Sequence, residues 1–256
     1  MKKKDKQGII IITFSLLVVV VFMVIANYLK APKLDEVTLC PLDKPVEFQK
    51  IIVIDKSDKW EKGNTKKMND WLLSSHQSLS AQNRLTILAI MGEGREGITE
   101  KKVLFDKCNP GSEKECNKLY QNCRKIKKEY DNSFAEPLEK IEEILSTPKQ
   151  ASYSPLFETV VKVIDNVESK QVEINMVSDF MENGHKFDFY NAVPLGEDIV
   201  KEYPLKVDAN ISFSMYVIER RRHPKALINA VTGAWKDYFT EQSIKNVSSK
   251  RFFITD

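Results

Sequence analysis

Asp55, Ser57, Ser154 and Asp179 are the residues of this chain whose types and settings suit one shared chemistry. Asp55 and Ser57 follow the apolar run Ile51-Ile52-Val53-Ile54. Ser154 precedes Pro155-Leu156 at the head of an apolar-periodic stretch, and Asp179 closes Met176-Val177-Ser178-Asp179. Carboxylates and hydroxyls held at the ends of rigid strands suit a hard divalent cation such as Mg2+, which takes oxygen ligands and keeps water-filled positions. A carboxylate from another molecule can enter such a position, so the chemistry is that of a binding switch and not of a catalyst. Each residue alone also has a plainer reading. Asp and Ser hydrogen-bond their own backbone in turns, Ser-Pro is an ordinary helix start with Ser as N-cap and Pro at the first position, and Asp179 with Asn183 and Gly184 reads as a loop.

The elements that must position these residues follow from periodicity. Gln49 to Ile54 is continuous in Ile and Val, as a central strand covered on both faces would be. After a break at Gly63-Asn64, Met68, Trp71, Leu72 and Leu79 share a helix face up to about Ser80. Leu85 to Ile90 reads as a second strand and Val103 to Phe105 as an edge strand. Phe134, Leu138, Ile141 and Leu145 mark a helix that Pro148 stops, and Leu156, Val160, Val163, Ile164 and Val167 mark another. Val172 to Val177 and Ile211 to Ile218 are further strands. Leu227, Val231, Trp235 and Tyr238 give the last long helix, with a final edge strand at Arg251 to Ile254. This alternation predicts an α/β fold, doubly wound, with a mostly parallel central sheet and helices on both faces. In such a sheet, ligands bind outside the carboxyl ends of the strands. Asp55, Ser154 and Asp179 all fall on that edge.

At this point the residues resemble the von Willebrand factor type A domain and its metal-ion-dependent adhesion site. That family's signature is Asp-x-Ser-x-Ser after the first strand, a Thr at the start of a later helix, and an Asp after the next strand. Asp55-Lys56-Ser57-Asp58-Lys59 matches the Asp and the first Ser, Ser154-Pro155-Leu156 stands where the family has Thr-Pro-Leu, and Val177-Ser178-Asp179 resembles the last segment. The resemblance covers about Phe48 to Phe239. It implies Asp55, Ser57, Ser154 and Asp179 as metal-site residues, Mg2+ as the cofactor, and protein–protein interaction as the role. The chain departs from the signature at Lys59, where an ammonium cannot coordinate a metal and would repel one. Lys59 could instead pair with Asp55 or Asp179 as a built-in cation.

Ahead of the domain, no charged residue occurs from Ile9 to Ala26, and Lys2, Lys3, Lys4 and Lys6 precede that stretch. Length and apolarity suit a transmembrane helix over 9–28, and the positive-inside rule places 1–8 in the cytoplasm and the rest outside. A cleaved signal peptide is the rival reading. Residues 29–47, with Pro32, Pro41 and Pro45, read as a linker. Residues 48–256 read as one domain, long enough for a full core, with a cysteine-bearing insertion at 107–128. The four cysteines lack zinc-knuckle spacing. One disulfide within Cys108, Cys116 and Cys123, and a second involving Cys40, suit an oxidising compartment.

Composition excludes some function classes. The 256 residues carry 39 basic and 36 acidic side chains, a net charge of +3, which gives no footprint for nucleic acid. No serine–histidine pair or phosphate-cradling loop is discernible, Gly92-Glu93-Gly94 being a poor candidate because its Glu repels phosphate, so the chain does not read as an enzyme. The run Arg220-Arg221-Arg222-His223 reads as a solvated loop or as a contact for anionic lipid or an acidic partner. The expected role is a protein-binding module at the Asp55 edge of the sheet, held in an inner or plasma membrane by residues 9–28. Its domain would face the periplasm or other extracytoplasmic space, within an envelope assembly. The alternative is a metal-free structural scaffold subunit of a membrane complex.

Overall fold

The computed structural model describes residues 3–28, 33–57, 62–93, 99–112, 122–141 and 153–255, together with Glu115, Cys116 and Lys118. Its strands are β1 (Phe48–Asp55), β2 (Arg84–Glu93), β3 (Thr99–Cys108), β4 (Gln171–Ser178), β5 (Asn210–Arg220) and β6 (Asn246–Thr255). They form one sheet in the order β3-β2-β1-β4-β5-β6, parallel throughout except for β3, which runs antiparallel on the β2 edge. The α/β class and the mostly parallel sheet are thus those the sequence implies.

Successive side chains of a strand point to opposite faces, so the central strand feeds two cores. Ile51 and Val53 of β1 join one cluster with Leu156, Phe157, Val160, Trp235 and Phe239. Ile52 and Ile54 join the other, with Met68, Leu72, Phe134 and Leu138. The first face is covered by α5 (Leu156–Asp165), α6 (Gly196–Glu202) and α7 (Lys225–Glu241), and the second by α2 (Lys62–Gln77) and by α3 (Cys123–Tyr130), which continues through a π-turn (Asp131–Ala135) into α4 (Glu136–Glu139). Phe157 stacks on Trp235 at 3.8 Å between ring centroids and 15° between planes, which locks α5 against α7.

Several boundaries differ from the sequence reading for identifiable reasons. Gly63 and Asn64 lie inside α2 and do not break it; in a first helical turn the cost of Gly and Asn is small, because the N–H groups there have no intrahelical partner to lose. β3 is longer than Val103 to Phe105 because it is an edge strand carrying Lys102, Asp106 and Lys107, charges that mask a strand in sequence yet guard an open edge. β6 begins at Asn246, where it pairs with Ser212 of β5, and its exposed Ser248 and Lys250 hide that first half in sequence. The short α6 carries too little apolar period to be read. Gly196 lets it approach α7, since a Cβ there would sit 2.7 Å from Asp237 Cβ.

Before the sheet, α1 spans Lys3–Tyr28, and its described apolar side chains from Phe14 to Ile25 are exposed, apart from the half-buried Val18. Among the described residues no helix is long and apolar enough to cross a membrane, the described side chains of α1 running only from Thr13 to Ile25. The segment 33–47 is fastened to the sheet. Asp35 Oδ1 accepts the Thr38 N–H, the Thr38 carbonyl accepts the Cys108 N–H at 2.7 Å, and Cys40 is disulfide-bonded to Cys108. A second disulfide joins Cys116 and Cys123.

The two bridges close loops of very different size, with sequence separations of 68 and 7. Chain-entropy arguments give about 4 kcal/mol for the first and about 2.5 kcal/mol for the second. Replacing Cys40 and Cys108 together by Ala should therefore lower the unfolding free energy more than replacing Cys116 and Cys123. Urea unfolding of the two double variants checks the order, and the opposite order would count against it.

Candidate binding site at the strand ends

β1 has β2 on one side and β4 on the other, so the chain leaves these neighbouring strands in divergent directions, and the carboxyl ends at such a switch point are where open α/β sheets bind ligands. The register pairs Ile54 with Val177, which brings Asp55 level with Ser178. Ser178 Oγ donates to Asp55 Oδ2 at 2.7 Å, and the Ser57 N–H donates to Asp55 Oδ1 at 2.9 Å. Ser178 Oγ in turn accepts the Phe180 N–H at 2.8 Å. Asp55 is buried, and that burial, with the nearby Asp179 carboxylate, raises its pKa above the usual carboxylate range. Lys56, just beyond it, is buried as well; burial pushes its pKa down while the Asp55 charge pulls it up.

Asp179 is held by Arg220 at the end of β5. Arg220 Nε donates to Asp179 Oδ2 at 2.9 Å, with side-chain exposures of 5% and 8%, and Asp179 Oδ1 accepts the Met181 N–H at 3.1 Å. For Arg220 this corrects the reading of residues 220–223 as a solvated run. Arg221 and Arg222 are exposed, but Arg220 is turned inward as the last residue of β5, where a carboxylate meets it.

Ser154 enters the site through backbone. Its N–H donates to the Asn183 carbonyl at 2.8 Å and its carbonyl accepts the Asn183 N–H at 3.1 Å. Its Oγ is buried with no partner among the described residues, so it is not the helix cap that Ser-Pro suggests. That task falls to Glu182, which the sequence reading missed. Glu182 is fully buried, and its Oε2 accepts the N–H groups of Leu156 at 2.7 Å and Phe157 at 3.0 Å, the free donors of the first turn of α5. Gly184 makes the room: a Cβ there would clash with Glu182 Oε1. Oε1 itself has no described partner. Burial pushes the Glu182 pKa up to about 8, opposed by the two backbone donors and assisted by the Asp55 charge. The only sequence hint was an acid two residues before a glycine, directly after Phe180-Met181.

The structure thus brings Asp55, Ser57 and Asp179 together with Ser178, Glu182 and Arg220, and places Ser154 beside the Glu182 loop. Lys59 and Asp58 lie outside the described residues. As arranged, the donor set does not fit Mg2+. Both oxygens of Asp55 and both of Asp179 already accept internal hydrogen bonds, and two cationic side chains, Lys56 and Arg220, stand against these two carboxylates. At about 4 Å and an effective dielectric of 20, two unit charges repel by about 4 kcal/mol, and a divalent ion by about twice that. Among the described residues no group of three or more His, Cys, Asp or Glu side chains is set to hold a metal.

A scan against family models finds no match to this sequence, and a search of curated proteins finds none. Among solved structures, the ArnB paralog VWA2 from Sulfolobus acidocaldarius aligns with 81% of this chain at 12% identity and a TM-score of 0.42. The human COPII-coat protein Sec24c aligns with 84% at 10% identity and a TM-score of 0.43. The conserved hypothetical protein BatB from Bacteroides thetaiotaomicron aligns with 80% at 11% identity and 0.38. The chain spans 42% of the first, 30% of the second and 90% of the third. The first of these bears the family's name, but likeness at these scores carries no argument about this chain.

Glu182 gives the site a definite pH signature. Its folded pKa, about 8, stands above the ordinary 4.5, so its contribution to stability is full below about pH 4.5 and is lost as the pH rises towards 8. Glu182→Gln keeps an oxygen for the Leu156 and Phe157 N–H groups and removes the titration. Between pH 5 and 8 the melting temperature of the wild type should fall more steeply than that of E182Q; parallel curves would refute the assignment.

Proposed function

We propose that this chain is a protein-binding module that presents the Asp55 edge of its sheet to a protein partner. The observation that carries the reading is the polar cluster at the strand ends, where Asp55, Ser178, Asp179 and Glu182 converge and where Ser154 Oγ and Glu182 Oε1 are buried without described partners. Buried polar groups are rarely left unpaired, so these two atoms are the ones that hydrogen-bonding groups of a partner would satisfy. The cluster pairs its acids with hydroxyls, backbone N–H groups and cations. Such pairing suits a site that binds.

The module is held at an inner or plasma membrane by α1, with the sheet domain on the extracytoplasmic side as part of an envelope assembly. The uncharged stretch from Ile9 to Ala26 behind four lysines supports the anchor, and the two disulfides support an oxidising compartment. A second reading, a scaffold subunit that packs against other subunits without using the site, is favoured by one observation: Asp179 and Arg220 satisfy each other internally.

Two measurements test this. Expressed as the full chain, the protein should stay in the membrane fraction until detergent is added, and recovery in buffer alone would remove the anchor. After mild detergent extraction, the partner that co-purifies with the wild type should be lost, or bind about tenfold more weakly, with Asp55→Ala at an unchanged fold. Retention of the partner at full affinity would favour the scaffold.

A further inference from the structure

We propose that Arg220 takes the place of a divalent cation at the strand-end site, which therefore binds without metal. The proposal rests on the reading of the Asp55 edge as the binding edge, but its test needs no partner, so the two can fail separately.

The argument begins with position. Arg220 is the last residue of β5, and β5 lies beside β4, so its side chain reaches the loop that leaves β4 at Asp179. A metal bound at strand ends has two tasks: it neutralises the carboxylates gathered there, and it ties together loops from different strands. Arg220 does both. It neutralises Asp179 in a pair almost wholly shut from solvent, and it joins the end of β5 to the loop after β4. That loop carries Glu182 to the first turn of α5 and Asn183 to the backbone of Ser154. Through it, one guanidinium fixes the far side of the cluster.

Arginine suits this task better than lysine. A guanidinium is planar, permanently charged and weakly hydrated, and it carries several donors, so burying it against a carboxylate costs less than burying an ammonium there. Removing one member of a buried pair leaves the other charge uncompensated. A variant without the Arg220 charge therefore frees Asp179 beside Asp55, and two adjacent buried carboxylates with nearby hydroxyls are a site that recruits a divalent ion. Arg220 is a positioning residue, and its signature is metal response, which a purely structural role would not produce.

The test measures Mg2+ and Mn2+ on the full chain in detergent. For the wild type, millimolar metal should leave the melting temperature unchanged, and Mn2+ should not broaden the amide signals of Ser57 and Ser178. Arg220→Gln should melt lower without metal, regain part of the loss with metal, and bind Mn2+ about tenfold more tightly than the wild type. Arg220→Lys retains a positive charge and should stay unresponsive. Broadening or a metal-dependent shift in the wild type or in R220K would overturn the proposal, as would an R220Q protein that folds and ignores metal. Should R220Q fail to fold, the wild type and R220K still decide.

Discussion

The central strand of this sheet is buried on both faces, and that constraint governs where chemistry can occur. Ile51 to Ile54 are 0–3% exposed, and a polar group placed among them would lose its hydration without a partner. Polar side chains are therefore pushed to the strand ends, where loops offer N–H groups and neighbouring strands offer counter-charges. The site follows from that exclusion. Asp55 stands one residue past the apolar run, and Ser178 stands at the matching level on β4 because parallel register leaves no other place for it.

Once carboxylates are gathered in a cluster of this kind, each has to be compensated. Asp55 takes a hydroxyl and a backbone N–H, Asp179 takes a guanidinium and a backbone N–H, and Glu182 takes the first-turn donors of a helix while burial holds its proton. These are three different solutions within one loop cluster. They couple the ends of β1, β4 and β5 to the start of α5, so the rigidity of the cluster is electrostatic as much as steric. Both faces of the sheet are also braced by rings: Phe157 and Trp235 stack on one, and Phe105 and Phe134 meet edge to face at 5.2 Å on the other.

The legibility of the fold tracked this division. Continuous or periodic apolar runs announced β1, β2, β4, β5, α5 and α7, because burial leaves few alternatives to Ile, Val and aromatic residues. Edge strands were harder to see, since β3 and β6 balance one covered face with Lys, Ser and Asp. In the site, Asp55, Ser57, Ser154 and Asp179 were readable from type and order along the chain. Glu182 was not, because its task of capping a helix from a distant loop leaves no pattern within either segment. Arg220 was readable as a charge but not as a buried one: its neighbours Arg221 and Arg222 share its type, and only the end of β5 turns it inward.

The bridge between Cys40 and Cys108 also sets a mechanical path. Tension applied through α1 enters the sheet at the carboxyl end of β3, since the covalent link at Cys40 carries the load before residues 41–47 can straighten. It therefore reaches an outer antiparallel strand and leaves β1 slack. Asp55 and Asp179 lie at the other end of the sheet from that entry point. Breaking the bridge would transfer the pull directly onto the strand that carries Asp55.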